Sequence, residues 1–115
     1  MNELAIVAKQ IREFRDARDW AQFHNPKDMA VAISIEANEL LELFLWKSPA
    51  EVAECLETKK ERIEEEIADI AIYLTELADN LGIDLLKAMK GKIRKNRIKY
   101  PVKKARGRNS KYNEL

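Results

Sequence analysis

From Asp28 to Trp46, apolar side chains including Ile33, Ile35, Leu40, Leu41, Leu43, Phe44 and Leu45 lie on nearly every face of one helical stretch. A helix that is hydrophobic all round belongs in an interior. Yet this stretch also carries Glu36 and Glu39, and no Lys or Arg lies within four residues of either. A buried carboxylate without a partner costs several kcal/mol or takes up a proton. Whatever this chain folds into must therefore compensate two acids inside an apolar helix.

The rest of the sequence is helical in period. Leu4, Val7, Ile11 and Phe14 recur at helical spacing after Asn2, a candidate N-cap. The run RDWAQFHNP breaks that pattern, and Asn25-Pro26 opens the apolar helix as cap and first helical residue. Ser48-Pro49-Ala50-Glu51 is a capping box that starts a short helix ending near Glu57. Ile63, Ile67, Ile70, Leu74, Leu77 and Leu81 then step by four and three up to a stop at Gly82. Asp84 caps a last helix, Leu85 to Lys99, closed by Pro101. Only three Gly and three Pro argue against an all-β sandwich. The expected architecture is all-α, a four- to five-helix bundle. At 115 residues it is one domain over 1–101 with a basic tail over 102–115, read as extended or mobile. A lone domain of this size hides only roughly two-thirds of its unfolded surface, so oligomerisation is expected to complete its core.

Composition excludes several classes. Hydrophobic residues are 46% and charged residues 36%, which is globular rather than disordered. No apolar run approaches the ~18 residues of a membrane span, and charges interrupt the N-terminal stretch where a signal peptide would be apolar. The single cysteine, Cys55, rules out an internal disulfide framework or a Cys-rich zinc site and suits a reducing, cytoplasmic setting. The net charge of +1 conceals an asymmetry. Residues 1–86 hold nine basic and 19 acidic side chains, whereas residues 87–115 hold twelve basic and one acidic. Such a division fits nucleic-acid binding, tail-to-body docking, or the joint binding of a metal and a polyanion. No helix-turn-helix signature supports sequence-specific DNA recognition.

Nine acidic pairs stand three residues apart, so spacing alone selects none, and most such pairs are solvated helix faces. Glu36/Glu39 is set apart by its apolar surroundings, and Glu66/Asp69 by its position on the helix. At 100° per residue, Glu66 lies about 60° from the centre of the Ile/Leu stripe, Tyr73 about 80° and Asp69 about 120°. Glu76 and Asp79, at about 140° and 160°, are expected on the open surface. Two helices that present carboxylates to a shared interior can form an oxygen cage, a donor set that selects Mg²⁺ or Mn²⁺. The competing reading pairs these acids with Arg or Lys from another helix. Trp20, Phe23 and His24 lie in a connecting segment where ligands commonly bind, and a tryptophan pair such as Trp20 and Trp46 can stack a planar base. For each aromatic, core packing is the ordinary role, and a lone histidine is more often structural than catalytic. Lys92, Asn96 and Lys99 recur at helical spacing and can donate to phosphate oxygens, although a basic helix can equally pair with the acidic body.

Four motifs in order, RDWAQFH, EANELLELFLWK, EEIADIAIYL and KIRKNRIKYP, make the chain resemble the MazG-like all-α nucleoside triphosphate pyrophosphohydrolases, and within them the dCTP pyrophosphatase group. The resemblance runs from Ile11 to Pro101. It implies Mg²⁺ ligation by Glu36, Glu39, Glu66 and Asp69; in the mechanism that follows, one carboxylate, Glu39, can serve as general base instead of ligand. It also implies a base pocket lined by Trp20 and Trp46, substrate contacts from Phe23, His24 and Tyr73, and phosphate contacts from Lys92 and Asn96. Intertwined homodimers or homotetramers follow from it too, so that one site draws on neighbouring copies. The implied reaction converts a nucleoside triphosphate, with dCTP or a modified pyrimidine deoxynucleotide foremost, to monophosphate and pyrophosphate, a nucleotide-pool clean-up. Two positions depart from the pattern: Asn38 stands where E-x-x-E often holds Gly, and Ile11 where some relatives carry a polar residue. Both bear on base preference. The alternatives are a same-fold pyrophosphatase for dUTP or phosphoribosyl-ATP, a non-catalytic helical module that self-associates, and a nucleic-acid binder driven by the basic tail.

Overall fold

Four side-chain caps set where the main helices begin in the computed structural model, which describes residues 2–115. Asn2 Oδ1 accepts from the Ala5 amide at 2.8 Å and opens α1, Glu3–Ala17. Asn25 Oδ1 accepts from the Asp28 amide at 2.9 Å and opens α2, Pro26–Glu42. Ser48 and Glu51 satisfy each other's backbone amides at the start of α3, Pro49–Thr58. Asp84 accepts from the Lys87 amide at 3.1 Å and opens α5, Leu85–Lys99. Each cap satisfies a backbone N–H that the first helical turn cannot. Between α3 and α5 runs α4, Lys60–Asn80, which ends at Gly82 in the left-handed region (φ +68°) that a glycine adopts without strain. Short 3-10 turns cover Ala21–Phe23 and Tyr112–Glu114, and α6 spans Val102–Ala105. Among the described residues there is no strand, so the fold is all-α.

The residues group into two compact units that divide after Gly82. In the first, α4 is central and packs against α2, α1 and α3. In the second, α5 and the stretch after Pro101 belong together, with the Tyr112 ring edge-on to Tyr100 at 6.2 Å and Lys99 Nζ 4.8 Å from its centre. The stretch expected to be an extended tail thus carries α6 and a helical turn.

Two expectations about α2 and α4 need correction. The apolar helix ends at Glu42, and the chain turns through Leu43–Trp46, where Trp46 takes a left-handed φ of 61°. Of α2 only Met29 is fully buried, while Val31, Ile35 and Leu41, and Leu45 in the turn after it, stay exposed within one chain. On α4 the buried residues are Glu66, Thr75, Glu76 and Ala78, and the heptad-spaced Ile67, Leu74 and Leu81 are 53%, 44% and 50% exposed. The periodicity identified the apolar stripe correctly, but this chain turns a polar face of α4 toward its own interior. Polar bonds hold α1 there: Arg12 reaches Asp79 at 2.6 Å and Arg15 reaches Asn80 at 2.7 Å.

Candidate active site

The inward face of α4 carries Glu66, Asp69, Tyr73 and Glu76 at intervals of three, four and three, a spacing that keeps all four within roughly an 80° sector of the helix. α2 runs alongside and contributes Glu36 and Glu39. One carboxylate oxygen from each of Glu36, Glu39 and Glu66 lies within 4.8 Å of the other two. Asp69 falls outside that trio but lines the same cavity as Glu36.

This carboxylate cluster is poorly neutralised. Glu66 is 4% exposed, and its Oε1 accepts from Arg62 Nε at 2.8 Å, one turn away on α4. Its Oε2, like Glu36 Oε2, is buried without a hydrogen-bond partner. Among the described residues no Lys or Arg comes within 4.0 Å of Glu36, Glu39 or Asp69. Among the described residues, no basic side chain of another helix compensates these acids. Burial pushes the Glu36 carboxyl up to about 7, reinforced by its hydrogen bond to Glu39 and by the charges of Glu39 and Asp69. Burial raises the Tyr73 hydroxyl, and the charges of Glu36 and Asp69 raise it further. Buried, unpartnered carboxylate oxygens that converge from two helices suit a hard divalent cation, and the donor set present here fits one.

A cavity of about 460 Å³ extends from these acids, within the size range of small-molecule sites. Glu36 and Asp69 line it together with Val7, Ile11 and Phe14 of α1, Ile72 and Tyr73 of α4, and Trp20 and His24 of the connecting segment. Asp19 sits in the left-handed region (φ 54°) just before Trp20, a conformation that a short polar side chain tolerates. The rings continue one another: Phe14 and Trp20 meet edge-on at 5.8 Å, Trp20 and His24 lie 6.4 Å apart, and His24 and Tyr73 6.5 Å.

The cavity brings together five of the residues singled out from sequence: Trp20, His24, Glu36, Asp69 and Tyr73. Glu39 and Glu66 stand beside Glu36. Phe23 and Trp46 do not line it in the single chain, where they are 60% and 92% exposed. Lys92 and Asn96 lie on α5 in the second unit. Glu76 is the main correction: expected on the open surface, it is 3% exposed and lines the cavity. The Ile/Leu stripe is not the face this helix turns inward; the 3-4-3 spacing of Glu66, Asp69, Tyr73 and Glu76 marks that face. Asp79 is also partly covered, by Arg12. Gln10 and Arg15 of α1 line the cavity as well, and no local signal in α1 distinguishes them from surface residues.

The site can be set beside known proteins. The chain is 44% identical over 105 residues to a dCTP pyrophosphatase 1 of Rattus norvegicus and 41% identical over 105 residues to that of Homo sapiens, matches that cover 90% of this chain and 62% of each relative. It thus spans about three-fifths of the length of those relatives. A solved pyrophosphatase from Archaeoglobus fulgidus is 47% identical, with a TM-score of 0.83 over 88% of this chain and 94% of that one. The MazG-like family model matches residues 31–115, which take in the E-x-x-E and E-x-x-D helices and the basic segment. With an all-helical fold, two acidic pairs converging from α2 and α4, and a family match over most of its length, the chain belongs to the MazG-like family.

Proposed function

We propose that this protein hydrolyses nucleoside triphosphates, with dCTP or a modified pyrimidine deoxynucleotide foremost, to the monophosphate and pyrophosphate, and so clears the nucleotide pool of the cytoplasm. One observation carries the reading: a single cavity joins an aromatic wall to unneutralised carboxylates. A nucleotide needs both ends, a stacking surface for its base and a cation site for its phosphates.

Glu36, Glu39, Glu66 and Asp69 are the proposed ligands of Mg²⁺, or of Mn²⁺ in its place. The bound ion supplies neutralisation of phosphate charge and a more acidic water. Trp20 stacks on the base, and His24 and Tyr73 meet its edge and the sugar. Glu39, the carboxylate that can act as base instead of ligand, takes the proton of the attacking water as the α–β phosphoanhydride bond breaks and pyrophosphate leaves. Lys92 and Asn96 are proposed phosphate donors on the strength of their motif alone. Trp46 and Phe23, exposed in one chain, are assigned to the base pocket of a neighbouring copy. Self-association is part of the proposal, since Ile67, Leu74 and Leu81 with Val31 and Ile35 leave two apolar helix faces uncovered. The relatives named dCTP pyrophosphatase 1 support the substrate class.

The direct test is pyrophosphate release by the purified protein with Mg²⁺ across canonical and modified triphosphates. Release from dCTP is expected, and none from any substrate would overturn the reading.

Proton linkage gives a second test. Glu36 titrates near 4.5 when unfolded and at about 7 when folded. The folded, metal-free protein therefore keeps a proton that the unfolded chain has lost. That contribution to stability is fully present below about 4.5 and is lost as pH rises through about 7. Facing Glu36 are Glu39 on its own helix and Glu66, Asp69 and Tyr73 on α4. A cation competes with the Glu36 proton, so Mg²⁺ affinity should weaken about tenfold per pH unit below 7. In thermal melts, Mg²⁺ should raise Tm far more at pH 8 than at pH 5.5. Equal rises would remove Glu36 from the ligand set.

A further inference from the structure

His24 Nδ1 lies 2.7 Å from Glu76 Oε2, on a side chain that is 4% exposed. The same oxygen accepts from Asn80 Nδ2 at 3.2 Å and lies 3.8 Å from the Arg15 guanidinium. Two nitrogens, with the Arg15 guanidinium behind them, converge on one buried oxygen, a setting that suits a carboxylate acting as acceptor. An ionised carboxylate only accepts, and the partner nitrogen must then carry the proton. In the neutral ring this leaves Nε2 with a bare lone pair and, among the described residues, no protein hydrogen bond. His24 lines the cavity, its ring between those of Trp20 and Tyr73. Glu76 plays no part in the proposed reaction, and its burial is otherwise unexplained.

We propose that Glu76 is a positioning residue that fixes His24 in its Nδ1–H form, and that the free Nε2 selects nucleotides whose base carries an exocyclic amino group, cytosine over uracil or thymine. The inference rests on the nucleotide-binding reading above. An acceptor nitrogen takes a hydrogen bond from the 4-amino group of cytosine. A carbonyl oxygen at the same place sets two acceptors against each other and leaves both unpaired, and sites built on such pairing reject the wrong group strongly.

The chain has one histidine, so ¹⁵N NMR of the whole protein at pH 8 reads its tautomer without assignment. The proton is expected on Nδ1, and a proton on Nε2 would overturn the inference. Specificity is read as the dCTP-to-dUTP ratio of kcat/KM, and as the affinity ratio of the α,β-methylene analogues in Mg²⁺. Glu76→Ala frees the ring and should lower both ratios about tenfold or more. Glu76→Gln should keep them within about threefold, because Asn80 still donates to an amide oxygen in the same place. Unchanged ratios in folded Glu76→Ala would overturn the inference. Should that variant not fold, the tautomer in the unaltered protein decides. Analogue binding with a cytosine preference but no pyrophosphate release would sink the proposed reaction and leave this inference standing.

Discussion

Glu36→Gln combined with Asp69→Asn should lower pyrophosphate release by on the order of 10³-fold or more, the scale of losing charges aimed at a reacting centre. The same change should stabilise the metal-free protein. Glu36 holds a buried, unpartnered oxygen beside Glu39 and Asp69, and removing two of these charges relieves repulsion that has no basic partner to offset it. An amide occupies nearly the same volume as a carboxylate, so the fold is retained. The gain is about 1 kcal/mol at pH 8, or several degrees in Tm for a domain of this size. Mg²⁺ should no longer shift the melt. Activity and metal-free stability then move in opposite directions, which a damaged fold would not produce. Retained turnover would refute the ligand assignment, and a lowered metal-free Tm would refute the account of repulsion.

Leu74→Lys tests the other half of the proposal. Ile67, Leu74 and Leu81 repeat every seven residues along α4 and are about half exposed, the spacing of a helix-to-helix seam. If a second copy covers this seam, a lysine at its centre buries an unpaired charge, which costs several kcal/mol and weakens association on the order of 10³-fold. Light scattering coupled to size exclusion should show a multiple of 13.3 kDa for the unaltered protein and 13.3 kDa for the variant. Activity should fall with assembly, because Trp46 stands outside its own chain's cavity. A monomeric unaltered protein, or a variant that assembles normally, would remove this face from the proposal.

Helix starts were legible because caps are local. Asn2, Asn25, Ser48 and Asp84 each bond an amide three residues on, and that chemistry is written in the sequence. The oddity of Glu36 and Glu39 was legible for a similar reason, since their neighbours are apolar and no base is near. What period cannot convey is which element covers which face. The α4 pattern gave the Ile/Leu stripe but not the fact that α1 and α2 pack on the flanking polar face, so Glu76 was misplaced. Arg15 and Gln10 reach the cavity only through the packing of α1 on α4, a long-range fact with no local mark. The end of α2 carries no local mark, because Leu43, Phe44 and Leu45 continue the apolar run and the turn at Trp46 breaks the helix without a glycine or proline.

That turn has a practical consequence. An indole in water emits at longer wavelength than one enclosed by hydrocarbon, and Trp46, 92% exposed, starts fully in water. Trp20 is the only other tryptophan, so a Trp20→Phe background leaves Trp46 as the sole indole, excited selectively at wavelengths beyond tyrosine absorption. Docking of another chain over it would shift its colour toward the blue, and dilution would shift it back, with no added dye.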